Sequence, residues 1–565
     1  MNANSKKILE VFSNGGNIHF VLPHFQREYT WDKTNWKTLW EDVTATYDDY
    51  TAGQDPEHFM GSLVVILDGT VNGLIPAFKL VDGQQRLTSI SLLLCALRWI
   101  MNGKDAALEN NLISMLANPL ATGDAYFKLL PTTKYDDRQA FTSLIRTGNT
   151  QITSKISEAY AYFTQELEDD IKSNKIDPQK MFLVLLNSLQ VVVIELNQQE
   201  SPYKIFESLN GKGKPLSQAD LVRNYIAMRL PATVQQQVFT DHWSKIEEML
   251  QEQRVVARQG ELTSFIRHYL AMHSGVLYNF NHVYEKFRDR MESKFKLQSD
   301  FVQEVVEMQK FGGYYNKLLR PKTEVQQQIK EALERLNGLE LSTAYPFLLA
   351  AYEAHSVGSI SDAEFKDMFS ILESYLVRRF LVGEPTNYLT KMFPPLWGQI
   401  DKANFSTSLR QALATRNYPS DVRLQQALLT RPLYDAKTRI VLEKINRHLH
   451  IGTGGYSILN TSPTLEHIMP QTPSLQWQND LGSQWQQVHQ DYLHTLGNLT
   501  IVTQDWNTQL SNDSFTVKKP KLSHNALLLN SSYFSQNIPV WDETAIRNRT
   551  HALTQHILSI WPALV

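Results

Sequence analysis

Cys95 is the only cysteine in the 565-residue sequence. One thiol makes no internal disulfide and no multi-cysteine zinc cluster, and this one lies in the apolar run 91–100, so a reducing compartment is expected. Long hydrophobic runs are missing as well. No stretch of about eighteen uncharged apolar residues occurs, and residues 1–10 are polar with no apolar centre. Secretion and membrane spanning are therefore not expected, and the cytoplasm is the expected location. Charge of one sign is scarce too: the formal net charge is -3. Such a chain has no global attraction for phosphate, and any binding of nucleic acid has to come from local basic patches. The sequence carries no internal repeat and no low-complexity tail. It has no G-x-x-x-x-G-K-[ST] phosphate loop, including at 211–215, where Lys212 and Lys214 alternate with glycine.

What is present describes an ordinary globular protein, with 42% hydrophobic and 20% charged residues. The length exceeds what one core organises, which points to two or three domains. β-rich runs at 62–67, 78–81 and 190–196 and an apolar helical stretch at 87–100 predict a small mixed sheet with helices. This part ends near 217–230, where Ser217 and Asp220 make a capping box. From 231 to 430 apolar residues recur at helical spacing, as in Phe265, Tyr269 and Met272, or Phe369, Leu372 and Leu376. Gly452, Gly454, Gly455 and Pro463 then punctuate the chain before a compact C-terminal unit. The expected class is α+β, predominantly helical, in three segments: 1–230, 231–430 and 431–565.

The strongest chemistry lies in Leu465-Glu466-His467-Ile468-Met469-Pro470, followed by Leu496-Gly497-Asn498-Leu499-Thr500, Asn507 and Ser511-Asn512. Hydrolysis of a phosphodiester needs a base for water and a cation for the charge on phosphate and leaving oxygen. A histidine beside a carboxylate, with later amides, can supply both. In a strand Glu466 and His467 project to opposite sides, and the spacing leaves their final geometry open. The run resembles the HNH (ββα-metal) superfamily, in the branch reading E-H-I-x-P with asparagine as the last metal ligand. That resemblance covers roughly the last quarter of the chain. It implies His467 as general base, Glu466 and Asn507 on the metal side, Asn498 orienting the histidine loop and Lys518 reaching the scissile phosphate. Mg²⁺ or Mn²⁺ suits such oxygen donors. The long interval between His467 and Asn498 carries Trp477 and Trp485, which read as packing of an insertion. His489, His494 and His524 read as packing or DNA-proximal residues.

A second run, Val81-Asp82-Gly83-Gln84-Gln85-Arg86-Leu87-Thr88, joins a predicted strand to a helix. A glycine turn at a helix N-terminus presents free N–H groups and a positive dipole end, which favour phosphate. Arg86 adds a guanidinium fork, and Asp82 can bind a metal or position water. Together with 25–31, 58–61 and 206–210 this run resembles the ParB/sulfiredoxin-like NTPase domain of GmrSD-type (type IV, modification-dependent) restriction enzymes. The resemblance implies nucleoside triphosphate binding, with Asp82, Gly83, Gln84, Gln85 and Arg86 at the nucleotide and Arg27, Asn210, Lys212 and Lys214 lining the cleft. Asp82 would also be catalytic in nucleotide hydrolysis. Tyr29, Trp31, Trp36 and Trp40 read either as core or as an aromatic pocket for a modified base. Arg378-Arg379 and the run Lys286, Arg288, Arg290, Lys294 and Lys296 read as solvated helix faces or as tracks for DNA.

The combined resemblance implies an NTP-regulated, metal-dependent endonuclease acting on modified foreign DNA such as phage genomes. Two rival classes stay open: a nucleotide-dependent DNA-binding regulator without cleavage, and an RNase or toxin that aborts infection. Oligomeric state is open too, a homodimer being among the forms considered.

Overall fold

Alternation of the β-branched runs builds a sheet buried on both faces. Strands β1 (Asn2–Lys7), β2 (His19–Val21), β3 (His58–Val71), β4 (Ile75–Asp82), β5 (Leu129–Leu130) and β6 (Leu189–Leu196) lie in the order β1-β6-β3-β4-β2-β5. The β1–β6 and β3–β4 pairs are antiparallel, and β3–β6, β2–β4 and β2–β5 are parallel. Leu63, Val65, Leu80, Val191 and Val193 point into the main core, while Val64, Val81, Val192, Ile194 and Leu196 form a small cluster on the opposite face. This is the two-residue period of a mixed sheet covered on both sides. Helix α1 (Lys33–Thr51) is opened by a capping box at Asp32 and Asn35, and α2 (Gln84–Met101) is apolar almost all round and buried from Leu92 through Leu97. The capping box at Ser217 and Asp220 opens α3 (Gln218–Arg229).

This computed structural model describes residues 2–13, 16–23, 26, 28–132, 136–196, 217–230, 232–250, 260–294, 297–339, 341–451, 453 and 463–565. Packing groups them into two units, residues 1–245 with 287–305 and residues 246–286 with 306–565. These units follow contact rather than composition, and they cut the chain elsewhere than the three-segment reading. None of the described helices is long and apolar enough to cross a membrane.

Among its described residues the second unit is helical apart from one hairpin. Helix α4 (Glu261–Ser274) buries Phe265 and Tyr269, and α5 (Asp362–Val382) is the central, largely buried helix. After α6 (Ala436–Leu449) come β7 (Thr464–His467), α7 (Leu475–Leu481), α8 (Trp485–Tyr492), β8 (Leu499–Val502), α9 (Gln504–Leu510), α10 (Phe515–Ser523) and α11 (Glu543–Ile560). Arg378 of α5 is fully buried and joins the helical stretch to the C-terminal segment. Its Nε donates to the Trp561 carbonyl at 2.8 Å, and its Nη1 reaches the Pro419 carbonyl at 3.2 Å and Asp421 at 2.7 Å. Arg379 donates to the carbonyls of Asn417 and Pro385. These two arginines brace loops inside the fold, which removes them from the residues that could track DNA. In the basic run, Arg290 pairs with the buried Glu304, Lys286 with Glu285 and Arg288 with Asp289, while Lys296 lies outside the described residues.

His268 of α4 is buried against the rings of Tyr315 and Tyr345, with Nδ1 3.1 Å from the Tyr315 hydroxyl. Burial, and then the neighbouring Arg267, push its imidazole down to about 3. Below its ordinary value of about 6.5 the unfolded chain takes up this proton and the folded chain does not, so stability falls as pH drops from about 6.5 towards 3. Urea unfolding between pH 6.5 and pH 4 is expected to show a shallower acid loss in His268→Phe than in the parent.

Candidate active site

In the C-terminal hairpin, β7 runs antiparallel to β8 with Glu466 opposite Thr500 and His467 opposite Leu499. Pairing continues past the strand end, where the Ile468 N–H donates to the Asn498 carbonyl at 3.0 Å. The Asn498 side chain then locks the following turn. Its Oδ1 accepts from the Met469 N–H at 2.8 Å and from Trp541 Nε1 at 3.0 Å, and its Nδ2 donates to the carbonyls of Met469 at 3.0 Å and Leu493 at 2.9 Å. At 0% exposure the amide uses both donors and both lone pairs. Gly497 allows α11 to approach, since a Cβ there would overlap the Ile546 carbonyl oxygen and the Thr550 hydroxyl. From the same helix the buried Arg549 donates to the carbonyls of Gly497 at 2.9 Å and Leu499 at 2.6 Å.

Alternation along β7 puts Leu465 and His467 on one face and Thr464 and Glu466 on the other. The His467 ring is 5% exposed, with Nε2 3.1 Å from His494 Nδ1, Nδ1 3.5 Å from Gln471 Nε2, and the Tyr434 ring 4.5 Å away between centroids. Burial, followed by His494, Lys518 and His489, pushes this imidazole down to about 4, so it is neutral at pH 7. On the other face Lys518 Nζ donates to Glu466 Oε1 at 2.8 Å and to the His467 carbonyl at 2.8 Å. Burial outweighs their mutual attraction, raising the Glu466 carboxyl and lowering the Lys518 ammonium. Asn507 of α9 reaches this same face, its Nδ2 donating to Thr464 Oγ1 at 3.1 Å and to the Leu465 carbonyl at 3.5 Å.

In the other unit, β4 passes into α2 through Gly83, whose φ of 87° is left-handed and where a Cβ would overlap the Leu63 side chain and the Ser62 carbonyl. Only glycine takes that conformation in that space at little cost. Half-buried Asp82 ends β4. Arg86 donates from Nη1 to the Ser62 carbonyl at 2.5 Å, and its guanidinium lies where a Cβ on Gly61 would sit, 2.9 Å from the guanidinium carbon. Gln84 and Gln85 are buried. Gln85 Oε1 accepts from the N–H groups of Thr30 at 2.8 Å and Trp31 at 3.2 Å, and its Nε2 donates to the Glu28 carbonyl at 3.0 Å. Arg27, Asn210, Lys212 and Lys214 lie outside the described residues.

A model of the GmrSD restriction endonuclease N-terminal domain matches residues 8–227, and one of the GmrSD restriction endonuclease C-terminal domain matches residues 418–556. The chain belongs to the GmrSD restriction endonuclease family. No curated protein matches it. Membership makes this GmrSD chain a type IV restriction endonuclease, with DNA as its substrate. The C-terminal match begins at 418 and so takes in Tyr434 as well as the hairpin.

Within the GmrSD chain, His467, Glu466, Asn498 and Asn507 converge on the hairpin and the helix after it, but Lys518 and Gln85 differ from their sequence-based roles. Lys518 was expected to reach a phosphate; at 0% exposure its amine is spent inside, holding Glu466 and the end of β7. Gln85 was expected at the nucleotide; all three of its hydrogen bonds brace the backbone at 28–31. Tyr29 and Trp36 are buried core, the Trp36 Nε1 donating to the Tyr29 hydroxyl at 3.0 Å, so they line no base pocket. Trp477 is buried and Trp485 packs against the same C-terminal cluster, so α7 and α8 fill the interval between His467 and Asn498. His494, read from the sequence as a packing or DNA-proximal residue, stands against the His467 ring, and its place four residues before Asn498 was a usable signal. Tyr434 stands far from the hairpin in sequence and had none.

Replacing one member of a buried ion pair leaves the other uncompensated, at a cost of about 3–5 kcal/mol. Lys518→Met is therefore expected to lower unfolding stability by that order in urea titrations, and Lys518→Met with Glu466→Met to recover part of the loss.

Proposed function

We propose that this GmrSD chain is an HNH endonuclease that works with a divalent metal, is regulated by a nucleoside triphosphate, and cuts modified foreign DNA such as phage genomes. The observation that carries the nuclease reading is a neutral imidazole and a carboxylate on consecutive residues at the end of a hairpin strand whose turn is locked by Asn498. In this reading His467 takes the proton of the attacking water, which needs the ring neutral beforehand. Asn498 holds the histidine in place and is not itself a reacting group.

Glu466 and Asn507 suit a hard cation such as Mg²⁺ or Mn²⁺, which prefers oxygen donors. Asn507 spends its NH₂ on Thr464 and Leu465, which leaves Oδ1 as the atom available to a metal. No group of three or more His, Cys, Asp or Glu able to hold a metal occurs among the described residues, so phosphate oxygens and water would complete the shell. When bound, the ion supplies charge stabilisation at the phosphate and leaving oxygen.

Support for the nucleotide reading comes from the left-handed Gly83 turn, which opens α2 between Asp82 and Arg86 without a side-chain cap on its first N–H groups. Gln85 serves this reading as a brace rather than a ligand.

Purified protein with Mg²⁺ and each nucleoside triphosphate, challenged with modified and unmodified phage DNA, is expected to cut only the modified DNA. His467→Ala should abolish cutting while the circular dichroism spectrum and nucleotide binding stay near those of the parent; retained cutting by the purified variant removes the HNH reading. Asp82→Ala and Arg86→Ala should each lower nucleotide turnover and impair restriction of phage in cells, and unchanged turnover in both would leave the turn a purely structural feature.

A further inference from the structure

We propose that His494 is the positioning residue for His467, accepting a hydrogen bond from His467 Nε2–H so that Nδ1 is the nitrogen facing the attacking water. The assignment rests on the HNH reading and specifies which atom of His467 works.

The heavy-atom contacts of the two rings favour one pair of tautomers. An amide NH₂ only donates, and Gln471 Nε2 stands 3.5 Å from His467 Nδ1, so Nδ1 carries the lone pair. In the proposed tautomer the ring proton is on Nε2, directed at His494 Nδ1 at 3.1 Å, which accepts it as a hydrogen bond. Gln471 is exposed, and in this assignment the attacking water takes the place of its amide at Nδ1.

Both rings are fixed from outside the hairpin. Tyr434 packs on His467 at 4.5 Å and on His494 at 5.5 Å between centroids, and the Leu433 N–H donates to the His494 carbonyl at 2.7 Å. His494 also follows Leu493, whose carbonyl takes the Asn498 amide, so the orienting ring and the strand turn hang on one clamp. A cavity of about 320 Å³ lined by Phe380, Arg431, Tyr434 and His494 among others opens beside this pair.

In the step itself a water O–H bond breaks and its proton goes to His467 Nδ1. The water oxygen bonds to phosphorus, the bond to the leaving oxygen breaks, and that oxygen takes a proton from solvent. The charge that forms on His467 strengthens the Nε2–H bond to His494, as in other bases held by a third group.

The test uses the full chain, Mg²⁺ and the modified phage DNA that the parent cuts. His494→Phe keeps the ring packing against Tyr434 but loses the acceptor, and it is expected to lower the maximal cleavage rate about ten- to a hundred-fold with the half-saturating DNA concentration unchanged. His494→Asn, whose Oδ1 offers an acceptor near the place of Nδ1, is expected to recover most of that rate. Parental cutting by His494→Phe, or a loss in His494→Asn as large as in His494→Phe, overturns the assignment. Should His494→Phe fail to fold by circular dichroism, His494→Leu takes its place with the same criteria. Loss of cutting in His467→Ala beside normal cutting in His494→Phe sinks this assignment alone, whereas cutting by His467→Ala sinks the reading beneath it.

Discussion

The buried amide of Asn498 is the point on which the C-terminal site hangs. Its four hydrogen bonds reach Met469 on one side of the hairpin turn, Leu493 on the other and Trp541 beyond α10. In a water-free interior a polar group so completely satisfied is directional, and a group left half-satisfied there would cost more than an apolar replacement. The register of β7 on β8, and with it the facing of Glu466 and His467, follows from this clamp together with the approach of α11 allowed by Gly497.

The two faces of β7 work differently because of what buries them. On one, His467 lies against the rings of Tyr434 and His494, and burial, followed by nearby charges, holds it unprotonated. On the other, Glu466 is held by an ammonium that has no exposure to solvent, beneath the reach of Asn507. A strand of four residues thereby separates an imidazole from a carboxylate while keeping them adjacent in sequence.

Much of this was legible from residues. Runs at 62–67, 78–81 and 190–196 lie in β3, β4 and β6, and the apolar stretch at 87–100 lies in α2, because there the periodicity and the burial agree. β1 and the two-residue β5 were not legible. The first is built from polar residues and exists by pairing with β6, and the second is too short to show a pattern. At the C-terminal strand pair, the fixed order of Glu466, His467, Asn498 and Asn507 singled out residues that lie on β7, at the head of β8 and on α9. The inward turn of Lys518 was not legible, since the resemblance gave its amine a phosphate to reach and nothing in the sequence sets it on Glu466 and the end of β7. Gln85 illustrates the same limit: its amide could have served a ligand or the neighbouring loop, and only three-dimensional proximity to Glu28, Thr30 and Trp31 decides for the loop.

The rims of the six-stranded sheet carry a further consequence. One rim is the hydrophilic β1, with lysines at positions 6 and 7, and the other is β5, which spans only Leu129 and Leu130. Strand-by-strand annealing with another chain needs a long, flat, apolar border, and neither rim provides one. The described rims of the N-terminal sheet thus protect it against edge-on aggregation.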